Sequence, residues 1–274
     1  LAAHAPEGLR WALAGRSRGK LEAVRAELAR ARGALSSLPL EIADSHDEAA
    51  MDDLAARTRV VCTTVGPYMR YGRPLVAACA RRGTHYCDLT GETPFIRASI
   101  DAHHGEAITS RARIVHCCGY DSIPSDLGVH LLHEHAARAH DAKLAWAKLF
   151  ATAKGTASGG TIASALGLVD AGKASREARR LLADPYALTP GRRGPDRSDS
   201  QGVRFDRDIG RWTGPFPMAP VNAPIVRRSN MLLERDGDDF RYHEAMSFGA
   251  GPGGLASAAA LAAGLTGFLA AAAV

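Results

Sequence analysis

Two rhythms of apolar and polar positions alternate along the first 127 residues. Short, continuous apolar runs predict strands at "RWALAG" (Arg10–Gly15), "LPLEIAD" (Leu38–Asp44), "RVVCTTVG" (Arg59–Gly66), "THYCDLTGE" (Thr84–Glu92) and "RIVHCCGYDS" (Arg113–Ser122). Helical spacing fills the intervals. Leu21–Arg32 places Leu21, Val24 and Leu28 on one face, and Asp47–Arg57, Pro74–Arg82 and Thr93–Arg111 follow. Asp47 and Glu48 suit the positive N-terminal end of their helix. Pro74 suits a first turn, and Gly83 marks a stop. Continuous rather than alternating apolar strands imply a parallel sheet covered on both faces. Right-handed crossovers then give an α/β, Rossmann-like doubly wound parallel sheet over residues 1–127.

Past residue 128 the rhythm changes, and a mixed α/β second domain is expected over 128–244. Leu127–His140 reads as a helix and "KLAWAKLFATA" as a strand. "SGGTIASALGLVDAG" reads as a glycine turn feeding a helix. A stretch rich in Pro, Gly, Arg and Asp at about 186–222 reads as a long loop. "APIVRRSNMLL" and "FRYHEAMSFG" read as further strands. Residues 245–274 carry no charge and are dominated by Ala, Gly and Leu, which predicts an apolar helix. Its length suffices to span a bilayer, but Ala and Gly drive insertion weakly. Burial against other protein and contact with a lipid surface both stand as readings of it.

The sheet reading raises a chemical question at its first visible strand. In a dinucleotide fold the end of the second strand lies beside the adenosine ribose, where an acid favours NAD and a cation favours the 2′-phosphate of NADP. Here Gly15-Arg16-Ser17 ends the strand, Lys20 lies one turn on, and no acid competes. Arg16 offers a planar fork for phosphate oxygens, and Ser17 is placed as an N-cap. The bland alternative is an exposed turn arginine. Asp44, ending the next strand, is equally an acceptor for the adenine amino group or a turn cap. The loop Thr64-Val65-Gly66-Pro67-Tyr68 is expected beside the ribose and nicotinamide, with Gly66 permitting close approach. Tyr68 is also a candidate proton donor, as are Tyr120 and Thr161, and Asp121 follows the last predicted strand. Asp121, Ser122 and Asp126 have the alternative role of capping the next helix. Gly159-Gly160-Thr161 is read either as a helix start or as backbone N–H groups for a thioester or phosphate.

Net charge is +5, its positive excess being mostly arginine scattered through Arg176–Arg228. That suits phosphates or acidic headgroups and, without a reader motif, excludes no more than specific nucleic-acid binding. Five cysteines, an odd number without a Cys-x-x-Cys pair, suggest buried free thiols and a cytoplasmic chain, with membrane association through 245–274. His130 and His133 share a helix face, but not at metalloprotease spacing, so no metal is expected. No Gly-x-Ser-x-Gly elbow is present.

"ALAGRS", the run from Val60 to Glu92, "RIVHCCGYDSIPSDLGV", "SGGTIAS", "ARRLLADPYALTP" and "APIVRRSN" occur in an order that resembles the saccharopine dehydrogenase-like oxidoreductases. Within them the chain is most similar to trans-acting enoyl reductases of mycobacterial type. The resemblance implies NADP(H) as cofactor, and a polyketide-derived acyl substrate reduced in lipid biosynthesis for a synthase lacking that step. It also implies a glycine-rich loop ahead of Leu1 and further sequence after Val274, so that this chain is expected to be a fragment. Oligomeric state stays open, a dimer included. Two rivals remain: a non-catalytic nucleotide-binding or lipid-surface scaffold, and a saccharopine-type amino-acid dehydrogenase. The latter needs clustered arginines, for which Arg227-Arg228 stand as neighbours on opposite faces of a strand.

Overall fold

The computed structural model describes residues 2–6, 8–152, 166–167, 169–170, 172–173, 175–199 and 202–273. The glycine turn at 159–160 and Thr161 therefore lie outside the described residues. The chain is a mixed α/β protein with parallel strand pairs, as its apolar rhythm predicts.

Two compact units emerge. The first comprises Leu1–Cys62, Arg70–Tyr86 and His103–Ile114; the second comprises Thr63–Met69, Cys87–Ala102 and Val115–Val274. In the first, β1 (Leu13–Gly15) pairs in parallel with β2 (Leu40–Ile42), Ala14 opposite Glu41. α1 (Arg18–Ala31) connects them, and α2 (Glu48–Ala56) follows, capped by Asp47 accepting from the Ala49 and Ala50 N–H groups. α4 (Arg73–Arg82) ends at Gly83, whose φ of 71° is left-handed. A Cβ there would sit 2.7 Å from the Ser110 carbonyl oxygen, so glycine is required on both counts.

β3 (Val60–Thr63), β4 (His85–Asp88) and β5 (Ile114–Val115) form a second sheet in that order. The division between the units falls within these three strands. α3 (Tyr68–Tyr71) and α5 (Thr93–Ser110) follow β3 and β4.

The remaining elements lie in the second unit. They are α6 (Ile123–His140), β6 (Trp146–Ala151), α7 (Arg176–Ala183), β7 (Arg204–Asp206), β8 (Arg211–Gly214), α8 (Ala219–Leu233), β9 (Arg241–Ser247) and α9 (Pro252–Ala273). The sheet order is β6-β9-β8-β7, with β6 and β9 parallel and the other pairs antiparallel. Its core joins Ala147, Phe240 and Tyr242 of the sheet region to Ala223 and Val226 of α8.

Two expectations are corrected here. "APIVRRSNMLL" is helix α8, not a strand. Its β-branched residues mislead, while Ala223 and Val226 lie three apart and share the buried face. The stretch read as a loop carries β7 and β8, because β8 is secured by antiparallel pairing to distant β9. No described helix is long and apolar enough to cross a membrane.

Candidate functional site

In the first unit, Ser17 is the N-cap of α1, its hydroxyl accepting from the Lys20 N–H at 3.5 Å. Arg16 and Lys20 are exposed. Gly15 is half-buried, its α-carbon facing Leu21. Asp44 accepts from the His46 N–H at 3.0 Å, so the turn cap expected of it is present. Tyr71 also lies here, its ring edge-on to His46.

The second unit holds the segments that follow β3, β4 and β5, and they are tied together by buried polar groups. Thr64, Val65 and Gly66 are exposed, and the Gly66–Pro67 peptide is cis. Tyr68 is only 3% exposed. Its hydroxyl donates to the Thr63 carbonyl at 3.1 Å and accepts from the Leu89 N–H at 3.4 Å. That is a correction to its expected service as proton donor: the hydroxyl is engaged on backbone inside the core. Glu92, 2% exposed, accepts from the Tyr68 N–H at 2.8 Å and the Met69 N–H at 2.7 Å. One buried carboxyl thereby satisfies two N–H groups at the start of α3, which have no intrahelical acceptor.

Asp88 anchors the next segments. Its Oδ1 accepts from the Thr90 and Cys117 N–H groups at 3.1 and 3.0 Å, and Oδ2 lies 2.6 Å from His116 Nδ1. His116 Nε2 lies 2.9 Å from Ser99 Oγ. Asp88, His116 and Ser99 have the connectivity of a nucleophilic triad. However, Ser99 is buried in α5, and the Phe95 ring stands edge-on to the imidazole. The arrangement therefore locks the ends of β4 and β5 rather than presenting a nucleophile. Cys117 adopts φ 60° and donates from Sγ to the Thr90 carbonyl, and burial pushes its thiol pKa up. All five cysteines are free.

Asp121 and Tyr120 are exposed, Tyr120 at 89%. Ser122 occupies the N-cap position of α6 without a side-chain cap bond. Its hydroxyl instead donates to Asn222 Oδ1 at 2.8 Å. Asn222 donates to Glu244 at 3.0 Å, and the Tyr242 hydroxyl donates to the other Glu244 oxygen at 2.7 Å. Burial holds the Glu244 carboxyl above its ordinary range. Asp126, in the first turn of α6, is likewise raised by burial. It lines a cavity of about 230 Å³ between α6 and α8, together with His130, His133, Arg235 and Asp236. His133 pairs with Asp236 at 2.9 Å, and His130 accepts from Arg235. Among the described residues no group of three or more His, Cys, Asp or Glu side chains could hold a metal.

Reading residues singly missed Asp88, Glu92, His116, Asn222 and Glu244. The available signal was a carboxyl at each end of "DLTGE" and a histidine inside an apolar strand, both of which require buried partners.

No family model matches the chain. It is 47% identical over 251 residues to a Mycobacterium tuberculosis protein with the provisional name trans-acting enoyl reductase, covering 88% of this chain and 59% of that one. It is 46% identical over 252 residues to the trans-acting enoyl reductase of Mycobacterium ulcerans, with the same two coverages. The chain thus spans about three-fifths of the length of these relatives. Among solved structures, apo saccharopine dehydrogenase (L-Glu forming) from Saccharomyces cerevisiae is similar over 56% of this chain and 30% of its own, with TM-score 0.43 and 20% identity. The resemblance drawn from the motifs is borne out by the curated relatives.

Proposed function

We propose that the chain is part of an NADPH-dependent oxidoreductase, a trans-acting enoyl reductase that saturates polyketide-derived acyl chains in lipid biosynthesis. The observation that carries the cofactor assignment is the β1–α1 turn. Arg16 is exposed beside a capping Ser17, and no acid stands between Leu13 and Lys20. These residues fit an adenosine 2′-phosphate: the guanidinium fork and Lys20 supply charge, and the Ser17 hydroxyl keeps its proton free to donate. The similarity to enoyl reductases carries the substrate assignment.

NADPH, when bound, supplies the hydride. Gly15, Arg16, Ser17 and Lys20 would hold the adenosine phosphate, and Asp44 would accept from the adenine amino group. Thr64, Val65, Gly66 and Pro67 would offer backbone to the ribose and nicotinamide. Tyr68 orders that loop through the bonds of its hydroxyl to Thr63 and Leu89, while Asp121 and Tyr120, both open to solvent, are the side chains that would meet a substrate.

The test is a fluorescence titration with NADPH and NADH, in this chain and in a longer version that adds the glycine-rich loop the resemblance implies. NADPH should bind at least about tenfold more tightly than NADH in the longer version, a difference of about 1.4 kcal/mol. Arg16→Ala should remove most of that preference. Equal affinities, or none in either version, would sink the assignment.

A further inference from the structure

Arg227 and Arg228 are neighbours on α8, and their surroundings are opposite. Arg227 is buried, donates to Asp196 at 2.9 Å and pairs with Asp199 at 2.6 Å. Arg228 donates from Nη1 to the Leu188 carbonyl at 2.7 Å, and no described carboxylate lies within ion-pair distance of it. The charge beside it is another cation. Arg97 of α5 donates from Nη1 to the Ala187 carbonyl at 3.1 Å and from Nε to Asp101 at 2.9 Å. Burial lowers the Arg228 pKa, and the nearby Arg97 charge lowers it further. Two partly buried arginines are thus tethered to consecutive carbonyls, and among the described residues Asp101, on the Arg97 flank, is the one carboxylate ion-paired with them. Such a pair repels itself and is relieved when an anion bridges it. Arg228 spends Nη1 on backbone and keeps Nε and Nη2 as a fork, whereas Arg97, with Nη1 on the Ala187 carbonyl and Nε on Asp101, keeps Nη2. A tetrahedral phosphate offers oxygens to that fork and a further one to Arg97 Nη2, whereas both oxygens of a flat carboxylate are taken up by the fork.

We infer that Arg97 and Arg228 form a binding site for a phosphate ester, with Arg228 as its principal ligand. The phosphate source rests on the reductase reading: an acyl thioester delivered on a phosphate-bearing arm, or the dinucleotide itself. Inorganic phosphate is the first probe, titrated at constant ionic strength into protein carrying ¹⁵N-arginine. The Arg228 Nε–Hε resonance should shift saturably. Arg228→Gln should weaken phosphate at least about tenfold, and Arg228→Lys, which keeps the charge but not the fork, should fall between. Arg16→Ala, which removes a separate phosphate ligand, should leave the shift read at Arg228 unchanged. Coenzyme A and NADPH are then added as competitors: displacement by coenzyme A marks the thioester arm as the source, and displacement by NADPH the dinucleotide. The inference is overturned if phosphate does no more than sodium chloride, or binds equally well to folded Arg228→Gln or Arg228→Lys. Because this titration needs no nicotinamide, its failure leaves the Arg16 assignment standing, and failure at Arg16 leaves this site standing.

Discussion

At the β1–α1 turn, the one side-chain bond of Ser17 among the described residues is a 3.5 Å cap to the Lys20 N–H, and the neighbouring Arg16 and Lys20 are exposed to solvent. In the segments after β3, β4 and β5, two buried carboxyls, Asp88 and Glu92, accept five hydrogen bonds from backbone N–H groups and a histidine at 2.6–3.1 Å. Both regions are expected to meet a dinucleotide, yet their polar groups serve different ends. In the second region the buried polar side chains are consumed in fixing the backbone, so what is left to offer a ligand is exposed main chain at Thr64–Gly66 and the exposed side chains of Tyr120 and Asp121. In the first region the backbone needs little help, and the side chains remain available. A buried polar group must be satisfied internally, whereas an exposed one is satisfied by water that a ligand can displace.

Perturbations at the two regions should therefore separate stability from binding. Glu92→Ala should have the largest effect. It strands the Tyr68 and Met69 N–H groups and should cost on the order of 3 kcal/mol in guanidinium denaturation; a cost below about 1 kcal/mol would show that water replaces the carboxyl. Next comes the pH dependence set by Glu244. Its folded pKa is raised, so above about 4.5 the unfolded chain loses this proton first, and stability falls with rising pH until the folded carboxyl ionises too. Glu244→Gln removes that titration, and its stability–pH profile should be flatter from pH 4.5 toward neutrality. The raised Asp126 contributes the same sign, so some slope should persist. An unchanged profile would mean that Glu244 does not titrate in this way. Ser17→Ala should cost only about 0.5 kcal/mol, given its long cap bond. Arg16→Ala should change stability least, within about 0.5 kcal/mol, while removing the NADPH preference. A large stability loss at Arg16 would make it a structural residue and erase the contrast.

The residue pattern alone determined most of the strand–helix alternation up to α6. Continuous apolar runs, the Asp47 cap, Pro74 in a first turn and Gly83 at a left-handed stop are local signals, and local physics enforces them. The Ser17 cap and the absence of an acid beside Arg16 were legible for the same reason. Only the tertiary structure decided which polar side chains were consumed. Tyr68 looks available in "GPYMRY" until Thr63 and Leu89 close on its hydroxyl. Ser122 looks like a helix cap until Asn222, one hundred residues later, accepts the hydrogen bond of its hydroxyl. Arg227 and Arg228 are adjacent in the chain, yet Asp196 and Asp199 neutralise the first while the charge acting on the second is that of Arg97. Helix α8 also hid as a strand, because its apolar spacing admits either period until a sheet supplies the face it covers. Hydrogen-bond partners far apart in the chain leave no periodic trace, so burial of a polar side chain becomes visible only when the fold brings its partner to it.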